Sequence, residues 1–178
     1  TKFKPMVVGG HPEGGRRAGT ENVPGIVGMG TACELAGLNM SDVGTRVRQL
    51  RDKLEQALLQ AVPRSMANSG QAERLPNTTS IAFEYVEGEA ILLMMNEYGI
   101  CASSGSACTS GSLEPSHVLR AMGVPFTAAH GSLRYSLSHY TTEEEIEFII
   151  AKMPPIIVRL RQMSPFWKQE AEAAMLSS

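Results

Sequence analysis

The chain has 178 residues, a net charge of −2 at pH 7 and a hydrophobic fraction of 43%. This composition favours a packed globular domain and argues against wholesale disorder and against a nucleic-acid-binding module built on a basic surface. Three cysteines are an odd number and do not suit a disulfide framework, and no apolar run resembles a signal peptide or a transmembrane span. We therefore expect a cytoplasmic protein without a membrane partner.

Residues 1–23 combine a short apolar run with a glycine-rich, basic loop. Residues 6–8 are predicted to form a strand that leads into this loop. Because the chain opens without an initiator methionine, we interpret residues 1–23 as the end of a larger domain that continues upstream. Asn22 is then predicted to cap the first helix, with Pro24 in its first turn.

The next segment has helical spacing. An apolar stripe marks the first helix, at Ile26, Met29, Cys33 and Gly37. Cys33 is therefore interpreted as a core residue. Ser41 is predicted to cap a second helix, which has the clearest apolar period in the chain, at Val43, Val47, Leu50, Leu54, Leu58 and Val62. Its basic residues lie mostly off the stripe and are interpreted as a solvated face: Arg46, Arg48, Arg51 and Lys53.

Three further strands are predicted, two from the alternation of apolar and polar residues and one, residues 100–102, from a short apolar run. They cover residues 79–86, residues 100–102 and the segment marked by Leu133, Tyr135 and Leu137. In the first of them, Ile81, Phe83 and Tyr85 share one face. In the second, Cys101 is interpreted as a core residue.

Three more helices are predicted between and after these strands. They are residues 88–98, ending at Gly99; Pro115 to Met122, closed by Gly123; and a last helix that begins after Thr142. Thr142 and Glu145 have the spacing of a capping box, and the apolar period continues at Ile146, Ile149, Ile150 and Met153. Pro154 and Pro155 are expected to kink or split this helix because neither can donate a backbone hydrogen bond.

Helices that alternate with a few strands are typical of a two-layer α/β domain. We assign this domain to residues 24–166. Within it, residues 103–112 form a Ser/Gly-rich loop between a strand and a helix. Residues 167–178 are expected to be a disordered tail.

The loop of residues 9–20 has the residue types of a phosphate cradle. Its glycines let backbone amides approach an anion, Arg17 offers a planar fork that matches phosphate oxygens, and Thr20 adds a hydroxyl just before a helix N-terminus. The alternative is a flexible surface loop with two ordinary arginines. The residue types alone leave both interpretations open.

Cys108 lies in the Ser/Gly-rich loop, just before a predicted helix. Small, polar surroundings near a helix N-terminus favour the thiolate, which is the nucleophilic form of cysteine. A Ser/Gly loop can also carry a thiol from one site to another. Cys108 is therefore the candidate nucleophile, and the alternative is an incidental loop cysteine.

Arg134 lies in the last predicted strand, on the face opposite its apolar residues. A charged residue in a short strand needs a partner or solvent. A substrate carboxylate, held by two parallel hydrogen bonds, is one such partner. An exposed edge-strand arginine is the alternative.

Metal binding and a hydrolase dyad are less well supported. No CxxC or HxxxH spacing occurs, and the histidines are scattered, at His11, His117, His130 and His139. A dyad between Cys108 and a histidine would suit a hydrolase, but nothing in the spacing selects a histidine.

Taken together, these segments resemble those of one family, the cysteine desulfurases of the NifS/IscS type in the class V aminotransferase group. The matching segments are residues 17–22, 103–110, 113–123, 133–137 and 141–146. The cysteine loop, residues 103–110, is the most specific of them. The runs at residues 20–25 and 164–167 are most similar to the NifS branch, which serves nitrogenase maturation.

The resemblance implies a fold-type I pyridoxal-phosphate enzyme, of which this chain would be the small C-terminal domain and the tail end of the large domain. Pyridoxal phosphate would act on the substrate L-cysteine, Arg134 would hold the substrate carboxylate, and Cys108 would attack the sulfur, leaving L-alanine and a persulfide on Cys108. Thr20 would contact the cofactor phosphate across a homodimer interface, with help from Arg17. The sulfur would pass to an iron–sulfur scaffold protein. No resident metal is implied, and Cys108 would be at most a transient iron–sulfur ligand.

The family's cofactor lysine, and the aspartate, histidine and glutamine around the pyridine ring, have no counterpart in this chain. We therefore expect the parent enzyme to be a cysteine desulfurase and the isolated chain to be inactive. Two alternatives remain open. One is a selenocysteine lyase or another fold-type I pyridoxal enzyme, and the other is a non-catalytic sulfur-accepting or interaction module.

Overall fold

The computed structural model describes residues 3–70, 72–105 and 115–167. The chain divides into two compact units, Thr1–Met40 and Ser41–Ser178. Of the helices in the described ranges, none has both the length and the apolar content that crossing a bilayer requires. Of the tail predicted for residues 167–178, Trp167 is half-buried and residues 168–178 lie outside the described residues.

The first unit contains a short helical turn, α1 (Pro12–Gly15), and most of α2 (Val23–Asp42). Asn22 caps α2 as predicted, because its Oδ1 accepts a hydrogen bond from the N–H of Gly25 at 3.2 Å. α2 buries none of its residues, so the prediction that Cys33 belongs to the core is wrong. An apolar stripe is buried only where a second surface covers it.

The strand predicted for residues 6–8 is not formed. The carbonyl of Val7 accepts a hydrogen bond from the N–H of Ala18 at 3.1 Å, but residues 6–8 belong to none of the strands in the described ranges. A short apolar run becomes a strand only when a neighbouring strand supplies a ladder of hydrogen bonds.

α2 is followed directly by a π-helical turn, Val43–Val47, and by α3 (Arg48–Ala61). The predicted helix start at Ser41 is therefore wrong. The carbonyl of Ser41 instead accepts a hydrogen bond from the Thr45 hydroxyl at 2.8 Å, which is a side-chain bond typical of threonine inside a helix. The predicted stripe of α3 is confirmed, since Val47, Leu50, Leu54, Leu58 and Val62 are buried.

The second unit is built on a four-stranded antiparallel sheet. Its strands are β1 (Ser65–Ala67), β2 (Thr78–Phe83), β3 (Ser103–Ser104) and β4 (Ser132–Ser136), in the spatial order β1-β2-β4-β3. β2 and β4 form the centre, with Ile81 opposite Leu133 and Ser80 opposite Arg134. Successive side chains of a strand point to opposite faces, so this register places the apolar pair and the polar pair on different faces.

One face of the sheet carries the main core. Its residues in the central strands are almost fully buried: Ile81, Phe83, Leu133 and Tyr135. They pack with the apolar sides of α3, α4 (Gly88–Asn96) and α7 (Glu143–Met163). On the other face, Ala82 packs with residues in and beside α5 (His117–Ala121) and α6 (Phe126–Ala129). The predicted two-layer α/β fold is confirmed, with α6 and β1 as elements that the sequence pattern did not predict.

Two predicted strands differ from those in the structure. β2 ends at Phe83, and Tyr85, which the alternation predicts to extend it, has a left-handed backbone with φ of 65°. The strand predicted for residues 100–102 is not formed, since β3 consists of Ser103 and Ser104, which were predicted to lie in a loop. Cys101 is exposed, so its assignment to the core is wrong. Alternation predicts where a strand is favoured, but pairing with β4 decides where it begins and ends.

α7 begins with the predicted capping box. Thr142 Oγ1 accepts a hydrogen bond from the N–H of Glu145 at 3.3 Å, and Glu145 Oε2 accepts one from the N–H of Thr142 at 2.9 Å. Pro154-Pro155 lies inside α7 without splitting it, so that part of the prediction is wrong. Met153 before the prolines and Ile157 after them are fully buried, and such packing offsets the missing backbone bonds.

Arg161, near the end of α7, is buried and joins three backbone segments. Its guanidinium donates hydrogen bonds to the carbonyl oxygens of Pro63, Arg64 and Glu84 at 2.7, 3.0 and 3.1 Å. It also lies 4.5 Å from the centre of the Trp167 ring. Burial lowers the pKa of Arg161. These contacts tie the α3–β1 connection and the end of β2 to α7.

A largely buried ion pair between Glu55 and Arg74 connects α3 with the segment before β2. Glu55 accepts two hydrogen bonds of 2.6 Å from Arg74 and another from the hydroxyl of Thr79. Burial alone would raise the pKa of the Glu55 carboxyl, but the hydrogen bonds from Arg74 and Thr79 outweigh burial and hold this pKa below its ordinary value. Arg51, also on α3, is 3% exposed, so its assignment to a solvated face is wrong. Its Nη1 donates to the carbonyl of Thr78 at 3.4 Å.

Glu55→Gln should weaken the dependence of stability on acidic pH. A carboxyl whose pKa is lower in the folded than in the unfolded chain stabilises the fold above its unfolded pKa, and this contribution is lost as the pH falls through the folded pKa. We expect the free energy of unfolding to fall from about pH 5 downward, and to fall less steeply for Glu55→Gln than for the wild-type chain. Urea unfolding at successive pH values measures both slopes, with Glu97→Gln as the control for removing an exposed carboxylate. Equal slopes for the wild type and Glu55→Gln would contradict this role of Glu55.

Candidate functional site

The polar face of the sheet carries a group of side chains around Arg134. Arg134 lies on β4 between two register partners, Ser80 on β2 and Ser103 on β3. Directly opposed residues on neighbouring strands have Cβ atoms about 5 Å apart. The sheet therefore brings one guanidinium and two hydroxyl groups together from three separate segments of the chain.

Arg134 and Ser80 line a cavity of about 470 Å³. Its lining includes Ser80, Ser132 and Arg134 from the central strands, Ser104 and Gly105 at β3, and Ser116 before α5. Of the described residues that line it, two are charged, Arg74 and Arg134. Arg74 is already bonded to Glu55 on both of its terminal nitrogens, whereas Arg134 is exposed. The cavity therefore suits an anionic group that binds at Arg134.

The guanidinium of Arg134 is oriented by a hydrogen bond within the sheet. Its Nη2 donates to Oγ of Ser103 at 3.1 Å. A guanidinium has five N–H donors in a planar fork, so this single bond leaves enough donors for a two-bond contact with a carboxylate. Arg134 lies on the polar face, as the alternation of β4 predicts. Its role as a carboxylate ligand stays a prediction.

Asn68 is bonded to two of the serines that line this cavity. It is 9% exposed, and its Nδ2 donates hydrogen bonds to Oγ of Ser80 at 2.8 Å and to Oγ of Ser132 at 3.2 Å. The Ser132 hydroxyl in turn donates to the carbonyl of Ala128 at 3.3 Å. Within the described residues, Oδ1 of Asn68 has no hydrogen-bond partner. This network holds the serines of β2 and β4 in fixed orientations next to Arg134.

Described residues on both sides of residues 106–114 line the same cavity. On one side, the N–H of Gly105 donates to the carbonyl of Ser132 at 3.1 Å. On the other side, Ser116 precedes α5 and also lines the cavity. Cys108, the predicted nucleophile, belongs to residues 106–114 and lies outside the described residues.

Arg17 and Thr20 belong to the first unit. Arg17 Nη1 donates to the carbonyl of Thr20 at 2.8 Å and to the carbonyl of Gly19 at 3.3 Å. The guanidinium of Arg17 therefore shapes the loop, with one of its nitrogens already used by backbone oxygens. The side chain of Thr20 is exposed, three residues before α2 begins at Val23. A role of either residue in phosphate binding stays a prediction.

Two of the described lysines are engaged with neighbouring side chains. Lys53 Nζ lies 2.8 Å from a carboxylate oxygen of Glu143 and also pairs with Glu147. The hydrogen bonds from Lys53 to these carboxylates raise its pKa, so the amine stays protonated. Lys152 Nζ lies 4.8 Å from the ring centre of Tyr98 and 5.4 Å from that of Phe148. Neither lysine lines the cavity that contains Arg134.

Three residues beside Arg134 are not predicted as site residues by the sequence: Ser80, Ser103 and Asn68. For Ser80 a signal is present, because the alternation of β2 places it on the face opposite Ile81. The sequence predicts a loop at Ser103, and its position beside Arg134 follows only from the pairing of β3 with β4. Asn68 directly follows β1, and its contacts with β2 and β4 join segments that are far apart in the chain.

Comparisons with known proteins agree with one another. A model of the family described as aminotransferase class-V matches residues 9–149. The chain is 61% identical over 171 residues to Cysteine desulfurase 2 of Trichormus variabilis, an alignment that covers 96% of this chain and 43% of the relative. It is 59% identical over 167 residues to Cysteine desulfurase NifS of Azotobacter vinelandii, covering 94% of this chain and 42% of the relative.

The fold is also similar to that of a solved structure, the NifS-like protein from Rickettsia africae. The TM-score is 0.76 at 36% sequence identity, and the match covers 88% of this chain and 40% of that chain. The chain therefore spans about two fifths of the length of the relatives that it matches.

Proposed function

We propose, since the chain belongs to the class-V aminotransferase family, that it is part of a pyridoxal-phosphate-dependent cysteine desulfurase. This enzyme would remove sulfur from L-cysteine, giving L-alanine and a persulfide on Cys108. The relatives named cysteine desulfurase support this function. Within the enzyme, this chain would bind the substrate carboxylate and accept the sulfur.

The observation that carries the proposal is the cavity that Arg134 shares with both flanks of the cysteine loop. Gly105 and Ser116 stand on either side of residues 106–114, which contain Cys108, and both line this cavity. A substrate held at Arg134 by its carboxylate would therefore lie close to Gly105 and Ser116, between which the segment with the nucleophile runs. Transferring sulfur from an amino acid to the enzyme as a persulfide uses this combination of a carboxylate site and an acceptor thiol.

Sulfur transfer to Cys108 would need no external oxidant or reductant. The thiolate of Cys108 attacks the sulfur atom of the substrate, so that an S–S bond forms while the C–S bond of the substrate breaks. The electron pair of the C–S bond goes to the substrate carbon, which takes up a proton as alanine forms. Arg134 would fix the substrate by two parallel hydrogen bonds, which sets the position of its sulfur.

Among the described residues, Thr20 and Arg17 suit the phosphate of the cofactor, whereas Lys53 and Lys152 do not suit its covalent attachment. Thr20 presents an exposed hydroxyl just before the N-terminus of α2, where backbone amides favour a phosphate. Arg17 would hold the loop around it. When bound, pyridoxal phosphate supplies the electron sink for breaking the C–S bond. Because Lys53 and Lys152 are engaged elsewhere, we propose that another part of the parent enzyme supplies the cofactor lysine.

A cysteine desulfurase of this kind would have two protein partners. We propose a homodimer, in which Thr20 contacts the cofactor phosphate of the neighbouring protomer, and an iron–sulfur scaffold protein that accepts the sulfur. The similarity to the NifS protein of Azotobacter vinelandii supports nitrogenase cluster assembly as its purpose. A reducing cytoplasm suits a thiol that must stay free to accept sulfur.

Cys108→Ser should abolish alanine release and persulfide formation in the full-length parent enzyme, because a hydroxyl cannot accept the sulfur. The absorbance of the bound cofactor should not change. Cys33→Ser and Cys101→Ser are matched controls, since both thiols are exposed and neither lines the cavity with Arg134. Alanine assays and persulfide labelling of each variant measure the result. Alanine release by Cys108→Ser at the wild-type rate would contradict the function, and faster turnover of L-selenocysteine than of L-cysteine would favour a selenocysteine lyase.

Arg134→Ala should lower kcat/KM for L-cysteine in the parent enzyme. Because Arg134 is exposed, we expect a loss near the lower end for a charged contact, about 2 kcal/mol or roughly thirtyfold. Arg134→Lys should recover only part of this loss, since an ammonium cannot form the two-bond fork. Arg159→Ala removes an exposed arginine of α7 and serves as the control. Wild-type kinetics in both Arg134 variants would make Arg134 an ordinary surface arginine.

The 178-residue chain alone should not attach pyridoxal phosphate covalently at one lysine. A nucleophilic lysine must be unprotonated, whereas Lys53 is held protonated by its carboxylate partners. Mixing the purified chain with one equivalent of pyridoxal phosphate, reducing with borohydride and mapping the peptides tests this expectation. Near-quantitative labelling of a single lysine, together with alanine formation from cysteine, would show that the chain is a complete enzyme by itself.

A further inference from the structure

We propose that Ser103 is a positioning residue whose hydroxyl holds the guanidinium of Arg134 in the orientation that a substrate α-carboxylate requires. This inference rests on the function proposed above and identifies what fixes its carboxylate contact. Ser103 itself would touch Arg134 and not the substrate.

Ser103 and Arg134 are held together by two different contacts. Their backbones are register partners in the pairing of β3 with β4, and Arg134 Nη2 donates to Ser103 Oγ at 3.1 Å. β3 consists of Ser103 and Ser104 alone, so its whole length lies beside β4. A half-buried serine on a paired strand has little freedom to move, and it therefore offers the arginine a fixed acceptor.

Arg134 needs such an acceptor because its side chain is long and exposed. Ordering a flexible arginine when a substrate binds reduces affinity, and a partner that orders it beforehand removes part of this loss. On the other side of Arg134, the oxygen of Ser80 already accepts a hydrogen bond from Asn68 at 2.8 Å. Of these two register partners, Ser103 is the one whose hydroxyl accepts a hydrogen bond from Arg134.

The contact with Ser103 leaves Arg134 able to bind an anion. It uses one of the five N–H donors of the guanidinium. Ser103 is neutral, so the contact does not neutralise the charge of Arg134, as a carboxylate partner would. The arrangement orients the arginine without occupying it.

Ser103 also connects the carboxylate contact with the cysteine loop. Two residues after Ser103, the N–H of Gly105 donates to the carbonyl of Ser132, on the same strand as Arg134. The short segment from Ser103 to Gly105 therefore contacts β4 twice, once at the guanidinium of Arg134 and once at the carbonyl of Ser132. A shift of Ser103 would move the substrate relative to the loop that carries Cys108.

The test compares two ligands that each lack one group of L-cysteine. 3-Mercaptopropionate keeps the carboxylate and lacks the amino group, whereas cysteamine keeps the amino group and lacks the carboxylate. We expect Ser103→Ala in the full-length parent enzyme to weaken calorimetric binding of 3-mercaptopropionate about tenfold, and that of cysteamine less than about twofold. KM for L-cysteine should rise by a similar factor with kcat nearly unchanged. Ser103→Thr keeps the hydroxyl and should recover most of the affinity.

Two further variants separate this role from a general effect on the fold. In an Arg134→Ala background, Ser103→Ala should have no additional effect on 3-mercaptopropionate, because the contact is already absent. Ser136→Ala removes another serine from the polar side of β4 and should bind both ligands as the wild type does. Equal weakening of both ligands by Ser103→Ala, wild-type binding by Ser103→Ala, or a full effect without Arg134 would each overturn the inference. Because binding is measured without turnover, a parent enzyme that is inactive on L-cysteine would contradict the proposed function and leave the test of Ser103 intact.

Discussion

A slip of one residue between β2 and β4 would exchange the two faces of the sheet, and the rest of the second unit depends on the register that prevents it. In this register Ile81 faces Leu133 and Ser80 faces Arg134. The first pair lies in the core beneath α3, α4 and α7. The second pair lies at the polar cavity. The hydrophobic effect that buries one face therefore also sets the position of the guanidinium on the other face. Gly131 supports this arrangement, because a Cβ there would overlap with the carbonyl oxygen of Phe83.

Polar contacts hold the elements around this central pair. Glu55 on α3 is bonded to Arg74 and to Thr79 on β2, and Arg161 on α7 is bonded to backbone carbonyls on either side of the sheet's first two strands. A buried charge is tolerated only where hydrogen bonds replace water. Glu55 meets that condition with a guanidinium and a hydroxyl, and Arg161 meets it with carbonyl oxygens. They stabilise the positions of the helices without taking part in the cavity that contains Arg134.

In the proposed function, this chain binds the substrate and accepts the sulfur, while the rest of the parent enzyme supplies the cofactor lysine. The polar face of the sheet would supply the carboxylate contact at Arg134, and Gly105 and Ser116, on either side of residues 106–114, line the same cavity. In the proposed mechanism, chemistry on the substrate carbon depends on a cofactor and a lysine from elsewhere in the parent enzyme, whereas Arg134 and Cys108 determine what is held and where the sulfur goes. Ser103 links these two tasks, because it contacts Arg134 and belongs to the strand that leads into the loop.

Local signals in the sequence were sufficient to predict the stripe of α3, the capping box of α7, the alternation of β4 and the family to which the cysteine loop belongs. Each depends on residues that are close together in the chain, where helical or strand periodicity and capping act directly. Burial and pairing depend on contacts between distant segments, and the sequence pattern failed where those contacts decide. Cys33 and Cys101 are exposed although they lie in apolar runs, and Arg51 is buried although it lies among charges. The pairing of β3 with β4 likewise placed Ser103 beside Arg134, because a register between strands that are far apart in the chain is selected by the packed core and not by either strand alone.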